Sequence, residues 1–116
     1  MNPLDSWLSA GPLLTDGAWG TELQARGLEP GRNPDLWNLQ HPDRVEEVAR
    51  CYADAGSRII LTNTFRSNLI ALGDGSRSVV EELNRAGVEI SRRAARDRCR
   101  VVASMAEAAR TAGVQI

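Results

Sequence analysis

The sequence predicts an α/β protein whose strands lie side by side in a parallel sheet. Three short apolar runs, at 13–15, 58–62 and 100–103, are predicted strands, and helical patterns separate them. In the second run, Ile59 and Ile60 stand next to each other without polar alternation, which is typical of a strand buried on both faces. The intervening segments are long enough for right-handed helical crossovers. The predicted order is therefore β-α-β-α-β-α.

Helices are predicted, in chain order, over residues 4–10, 21–26, 43–55, 69–72, about 76–98 and 105–112. The helix over 43–55 has the clearest pattern, because Val45, Val48, Ala49 and Tyr52 form one apolar stripe, and Gly56 is placed to end it. The later long helix is expected to begin at Ser76 or Ser78. Residues 28–40 are predicted as a loop because they hold Pro30, Gly31 and Pro34, and Trp37 and Leu39 are expected to fix that loop to the core. Residues 114–116 resemble the start of a further strand.

Length and composition limit the class of protein. The chain has 116 residues, 42% of them hydrophobic, and a net charge of −1, so residues 1–116 are expected to form one globular domain. The sequence contains no apolar run of membrane-spanning length and no pattern of a signal peptide, so a cytoplasmic location and no membrane partner are expected. Two cysteines are too few for a disulfide scaffold.

Small polar residues follow the first two predicted strands. Asp16 and Gly17 follow the first strand, and Asn63, Thr64 and Phe65 follow the second. Parallel α/β folds place their ligand contacts at the carboxyl ends of strands, so these residues are the candidate binding site. Two alternatives remain open: Asp16 as the N-cap of the following helix, and Asn63 and Thr64 as turn-capping residues.

Other residue types exclude or disfavour particular chemistry. All 14 basic residues are arginines, so a Schiff base to a lysine of this chain is excluded. His41 precedes Pro42, and a position at a helix start is favoured over a role as catalytic base. Cys51 is predicted inside a helix and Cys99 at the amino end of the third strand, so both are expected to be reduced structural thiols.

Several sequence blocks, in the same order and spacing, resemble the homocysteine S-methyltransferase family, which includes the homocysteine-binding module of cobalamin-dependent methionine synthase and the betaine–homocysteine enzymes. The resemblance covers residues 12 to about 103. The blocks are Leu14-Thr15-Asp16-Gly17-Ala18-Trp19-Gly20-Thr21-Glu22-Leu23, Leu36-Trp37-Asn38-Leu39, His41-Pro42, Ala55-Gly56, Ile59-Ile60-Leu61-Thr62-Asn63-Thr64-Phe65 and Glu82-Leu83-Asn84-Arg85-Ala86.

The resemblance implies a partial (β/α)8 barrel containing the first three to four β/α units. It also implies a reaction in which zinc, held by three cysteine thiolates on later strands, binds homocysteine sulfur as a thiolate that attacks a methyl group. The resemblance extends only over the first three β/α units, so those later strands are expected to be missing from residues 1–116. No catalytic or metal-ligating residue is therefore assigned here, zinc is expected only in the complete family domain, and the chain alone is expected to be inactive.

The resemblance also assigns roles at the strand ends. It places Asp16 near the amino group of homocysteine and Gly17 as a backbone donor, with Asn63, Thr64 and Phe65 lining the pocket. Two features depart from the family pattern. Arg66 is a cation where a small, polar or aromatic residue is usual, and residues 104–107 replace a glycine-rich turn.

A second reading is a non-catalytic half-barrel that binds a small amino acid or another subunit. An incomplete barrel leaves strand edges uncovered, so self-association or a completing chain is expected. Trp19 and Trp37 are expected to pack in the core rather than contact ligand. Nucleic-acid binding is disfavoured, because Asp97 and Glu89 are interleaved with the arginines near the end of the long helix and no aromatic platform accompanies them in the sequence. These arginines are Arg92, Arg93, Arg96, Arg98 and Arg100.

Overall fold

The computed structural model describes residues 2–73 and 77–105. The elements in chain order are α1 (Pro3–Leu8), α2 (Gly20–Ala25), a 3-10 turn (Pro34–Leu36), α3 (Trp37–Gln40), α4 (Pro42–Ala55), β1 (Ile59–Leu61), α5 (Leu69–Leu72), α6 (Arg77–Ala95) and β2 (Arg100–Val102). The predicted α/β class is confirmed. The predicted features over 106–112 and 114–116 lie outside the described residues.

The two strands pair in parallel, with Ile60 opposite Val101. The segment before α2 pairs in parallel with the other side of β1, through a bridge between Thr15 and Ile59. The Asp16 amide donates to the Ile59 carbonyl at 3.0 Å, and the Arg58 amide donates to the Leu14 carbonyl at 2.7 Å. The order across the sheet is therefore the Thr15 segment, β1, then β2.

The first predicted strand is shorter than expected. Residues 13–15 contribute one bridge at Thr15 rather than a three-residue strand. Gly11 has a φ of 116°, which turns the chain sharply, and Pro12 has no amide hydrogen to donate. Backbone hydrogen bonding to the neighbouring strand segment therefore begins only at Leu14, directly before the polar residues of the strand end.

Two long helices cover one face of the sheet. In α4 the apolar stripe is buried as predicted, with Tyr52 half-buried at its edge, and Gly56 ends the helix in the left-handed conformation with φ of 112°. Helix α4 packs against α6, and Ile60 of β1 is fully buried between them. Ile59 and Leu61, the neighbours of Ile60 in β1, are only half-buried. The core therefore lies between the sheet and these helices.

The segment before α4 is a correction to the prediction. Residues 28–40 contain the 3-10 turn and α3 rather than only a loop. The Asn33 side chain caps the turn by accepting from the Asp35 amide at 3.0 Å, and Pro34 occupies the first position. Trp37 is buried as predicted, but Leu39 is 46% exposed, because it lies on the outward side of the short helix α3.

The long helix ends earlier than predicted. Helix α6 ends at Ala95 rather than near residue 98, because Arg96 adopts a positive φ of 53°.

At the amino end of the sheet, the Arg100 guanidinium lies 4.7 Å from the centre of the Trp7 ring, and this contact connects α1 to β2. Over the described ranges, no helix combines the length and apolar character that crossing a membrane requires.

Candidate functional site

Because the strands are parallel, their carboxyl ends meet at one edge of the sheet. We call this the carboxyl edge and define it as residues 16–17, 62–67 and 104. Hydrogen bonds hold these parts together. The amide of Leu61, the last residue of β1, donates to Asp16 Oδ2 at 2.9 Å, and Thr64 Oγ1 donates to the Ser104 carbonyl at 2.9 Å. The candidate residues after the first two strands are therefore brought to the same edge.

Asp16 is half-buried and engages the protein through one carboxylate oxygen. Oδ2 accepts from the Leu61 amide and from Trp19 Nε1 at 2.7 Å. Oδ1 has no hydrogen bond to any described residue, which leaves it able to accept from a ligand. The Asp16 side chain does not cap α2, since the N-cap position is Trp19 and no side chain caps that helix. The N-cap alternative is therefore wrong, and Trp19 packs against the core as predicted.

Gly17 is exposed and lies against the Tyr52 ring. A Cβ atom at this position would lie 3.0 Å from Tyr52 Oη. The Tyr52 hydroxyl donates to the Ala18 carbonyl at 2.7 Å. Partial burial, followed by the negative charges of Glu22 and Asp16, raises the pKa of Tyr52, so its hydroxyl stays protonated and keeps this bond. Tyr52 thus fixes the backbone after Asp16 through its hydrogen bond to Ala18 and its packing against Gly17.

Asn63 and Thr64 are buried, and their side chains contact other parts of the protein. Asn63 Nδ2 donates to the Pro34 carbonyl at 3.1 Å and to Asn38 Oδ1 at 3.0 Å. The Thr64 hydroxyl lies 2.6 Å from Thr62 Oγ1 and also donates to Ser104. Apart from the short-range contact between Thr62 and Thr64, these hydrogen bonds join separate segments of the chain rather than cap a local turn. The predicted role of both residues in binding stays a prediction.

Phe65 and Arg66 are the exposed members of the segment after β1. Phe65 is 49% exposed, and the Arg66 guanidinium makes no hydrogen bond or ion pair with the described residues. Their neighbours Thr64 and Ser67 are each 4% exposed. The segment therefore presents two side chains to solvent between two buried anchors.

Sequence reasoning missed a buried carboxylate beneath this segment. Asp35 is 1% exposed, and its Oδ2 accepts from the Arg66 amide at 2.6 Å and from Ser67 Oγ at 2.8 Å. Burial raises the pKa of Asp35, while the hydrogen bonds from Ser67 and Arg66 and the charge of Arg66 oppose that rise. No local periodicity marks Asp35; its partners are 31 and 32 positions away in the chain.

Asn38 was also missed as a site residue, although it lies within one of the family-like blocks. Its Nδ2 donates to the Asn63 carbonyl at 2.8 Å and to the Leu83 carbonyl at 3.1 Å. Asn38 therefore connects α3, the carboxyl edge and α6. The signal that could have found it was that block, Leu36-Trp37-Asn38-Leu39, which contains a polar residue between apolar ones.

The cysteine and histidine side chains that could ligate zinc lie in different surroundings and do not contact one another. Cys51 is exposed on α4 beside Arg26 Nη2 at 3.5 Å, and Cys99 Sγ donates to the Ser57 carbonyl at 3.1 Å at the amino edge. The His41 ring contacts the Trp37 ring, with centroids 4.8 Å apart. Among the described residues, no three His, Cys, Asp or Glu side chains group closely enough to hold a metal. The described residues therefore do not fit a zinc site.

Comparison with known proteins gives the family. The homocysteine S-methyltransferase family model matches residues 13–114. Methionine synthase of Mycobacterium tuberculosis is 40% identical over 97 residues, covering 76% of this chain and 8% of that protein. Methionine synthase of Mycobacterium leprae is 39% identical over 92 residues, covering 72% and 8%. The chain thus spans a small part of these relatives.

Solved structures agree with the sequence matches. The homocysteine methyltransferase MmuM from Escherichia coli, in its metallated form, superposes with a TM-score of 0.76 at 26% identity, covering 96% of this chain and 44% of that one. Its oxidized form gives a TM-score of 0.67 at 30% identity, covering 84% and 35%. The sequence blocks, the parallel strands and the family match agree, and the chain belongs to the homocysteine S-methyltransferase family.

Proposed function

We propose that this chain is the homocysteine-binding, amino-terminal part of a methyltransferase, and that its described β/α units are the first part of a (β/α)8 barrel. The observation that carries the proposal is the Asp16 carboxylate, which is fixed at the carboxyl edge through Oδ2 while Oδ1 has no partner among the described residues. Family membership and the match to 44% of the MmuM chain support it.

The chemistry of Asp16 suits the amino group of an amino acid. Two N–H donors, from Leu61 and Trp19, hold the carboxylate in one orientation. A ligand ammonium can then donate to Oδ1. Because Asp16 is only half-buried, the ion pair stabilises the complex by about 0–1 kcal/mol, and we expect a millimolar or weaker Kd.

Methyl transfer needs more than this chain provides. The nucleophile is a thiolate, and a free thiol of pKa about 8.5 is mostly protonated at neutral pH. Among the described residues, Cys51, Cys99 and His41 do not converge, so these three side chains would not together hold the zinc that the resemblance implies. We therefore propose that the isolated chain binds the amino acid but does not transfer a methyl group.

A second candidate is a non-catalytic module that associates with another chain. Leu14 is 60% exposed, and Ile59 and Leu61 are only half-buried, so part of the sheet lacks the cover that α4 and α6 give to Ile60. An apolar sheet surface of this kind favours association with a second copy or a completing chain. Sedimentation at micromolar concentration distinguishes this candidate from a monomer that binds only homocysteine.

Calorimetric titration with L-homocysteine tests the proposed function. We expect weak binding to the wild-type chain and a loss of about threefold or more in affinity for Asp16→Asn. This variant keeps an acceptor oxygen for the Leu61 and Trp19 donors, but it removes the charge and replaces the ligand-facing Oδ1 with an NH2 group. Asp43→Asn removes an exposed carboxylate from α4 and is the matched control. Equal affinities for all three proteins would contradict the proposed role of Asp16.

The absence of turnover is tested separately. We expect no zinc-dependent formation of methionine from homocysteine and S-methylmethionine. Stoichiometric zinc together with turnover, both lost in Cys51→Ser or Cys99→Ser, would show that the isolated chain is an enzyme after all.

A further inference from the structure

The segment after β1 is held by a carboxylate that is itself buried. We propose that Asp35 is a positioning residue that sets the conformation of residues 65–67, and thereby the placement of Phe65 and Arg66 at the carboxyl edge. The effect on the turn follows from contacts within the chain. Its consequence for ligand binding rests on the proposed function.

Two adjacent donors meet one oxygen of Asp35. The Arg66 amide and the Ser67 hydroxyl both donate to Oδ2, at 2.6 and 2.8 Å. A backbone donor and the next residue's side chain can reach the same atom only in a restricted set of backbone conformations. The carboxylate therefore selects a conformation of the turn, in addition to stabilising it.

Asp35 is in turn held in place by its own segment. The Asn33 side chain accepts from the Asp35 amide at 3.0 Å within the 3-10 turn, and the neighbouring Pro34 carbonyl accepts from Asn63 Nδ2 at 3.1 Å. The same short segment thus contacts the carboxyl edge on both sides of Phe65. A third contact comes from α6, where Asn84 Nδ2 donates to the Ser67 carbonyl at 2.9 Å.

Burial makes this arrangement costly to break. Asp35 is 1% exposed, so removing its carboxylate leaves the Arg66 amide and the Ser67 hydroxyl without their acceptor. Neither Phe65 nor Arg66 has a side-chain hydrogen bond to the described residues that would hold the turn instead. The placement of these two exposed side chains therefore depends on the Asp35 carboxylate, which binds the backbone of the turn.

The sequence offers a clean reporter, because Phe65 is the single phenylalanine of the chain. Growth with 4-fluorophenylalanine places one fluorine label at the turn of the full-length protein. Fluorine spectra are recorded for wild type, Asp35→Ala, Asp35→Asn and the control Asp43→Asn. Amide exchange at Arg66 is measured in the same proteins against amides of α6, which report global stability.

We expect Asp35→Ala to shift or split the fluorine signal and to speed exchange at Arg66 about tenfold more than exchange in α6. Asp35→Asn keeps one acceptor oxygen, so its fluorine signal and its Arg66 exchange rate should lie between those of wild type and Asp35→Ala. Asp43→Asn should match wild type in both measurements. A folded Asp35→Ala protein with unchanged signal and unchanged Arg66 exchange would overturn the proposal.

If Asp35→Ala does not fold, the Ser67→Ala variant tests the proposal in its place. It removes one donor but leaves the Arg66 amide bonded to Asp35, so a smaller change of the fluorine signal is expected, and an unchanged signal overturns the proposal.

The consequence for ligand binding is tested by adding L-homocysteine to each folded protein, and we expect about fivefold weaker binding when the turn is altered. If wild type itself does not respond to homocysteine while Asp35→Ala alters the turn, the proposed function fails and the positioning role stands.

Discussion

The ends of the first two strand segments have similar sequences but different structural roles. After Thr15, the chain continues through a half-buried aspartate and an exposed glycine, and one carboxylate oxygen has no partner among the described residues. After β1, the polar residues Thr62, Asn63 and Thr64 are buried, and each side chain is hydrogen-bonded to a distant segment of the chain.

This difference shows that polar residues at a strand end can serve two purposes. A polar group that is buried costs free energy unless it is hydrogen-bonded, and no buried side-chain nitrogen or oxygen of the described residues lacks a partner. The buried polar side chains after β1 therefore already have hydrogen-bond partners within the protein. We infer that Asp16 is available for a ligand and that the segment after β1 contributes chiefly through exposed Phe65 and Arg66.

The largest expected effect comes from Asn38, which joins the segment after β1 to α6. Asn38→Ala removes the side-chain donor to the Asn63 and Leu83 carbonyls and one of the two acceptors of Asn63 Nδ2, so we expect a loss of about 3 kcal/mol in the free energy of unfolding. Urea unfolding measures it. Gln40→Ala, an exposed position on the same helix, is the control with an expected change near zero. A loss for Asn38→Ala no larger than for the control would contradict a structural role for this strand end.

A pair of glycines sharpens the comparison. A Cβ atom at Gly87 of α6 would lie 2.6 Å from Thr64 Cγ2 and 3.0 Å from Asn38 Nδ2, so Gly87→Ala should destabilise the protein by about 1–3 kcal/mol despite the better helix propensity of alanine. At Gly17 the nearest atoms belong to the Tyr52 side chain, which can move, so Gly17→Ala should cost less than about 1 kcal/mol.

Gly20→Ala is the control for both glycines, because a Cβ atom there meets nothing within 4 Å. Thermal unfolding of the three variants provides the ranking. If Gly17→Ala were as damaging as Gly87→Ala, the end of the first strand segment would be as tightly packed as the end of β1, and the contrast between them would be lost.

The smallest expected effect is the pH dependence that Asp35 contributes. Its pKa is raised in the folded protein, so the folded state binds a proton more readily than the unfolded state. The penalty for burying the charge is present above the folded pKa and disappears as the pH falls through it towards the unfolded value. Relative to Asp35→Asn, the wild-type free energy of unfolding should therefore rise on acidification below neutral pH.

Arg66 is the charged residue that acts on Asp35, and it favours the ionised form. Urea unfolding of wild type and Asp35→Asn at a series of pH values measures the difference. A difference that falls on acidification would mean that hydrogen bonds to Asp35 outweigh its burial.

Local patterns predicted the parts of the fold that depend on local signals. The stripe of α4, its end at Gly56 and the position of Asp16 at a strand end followed from spacing and from glycine. Helix α3 has four residues, too few for helical periodicity to be recognised. The roles of Asp35 and Asn38 depend on partners 25 or more positions away, and no local pattern encodes such contacts.

The most direct test of the difference between the two strand ends is an amide NMR titration of the uniformly labelled chain with L-homocysteine. The expected result is millimolar binding, with the largest shift changes at Gly17 and Ala18, smaller ones at Phe65 and Arg66, and a marked loss of all of them in Asp16→Asn. Shift changes centred on the amino edge near Arg58 and Arg100, or none at any of these residues, would contradict the account.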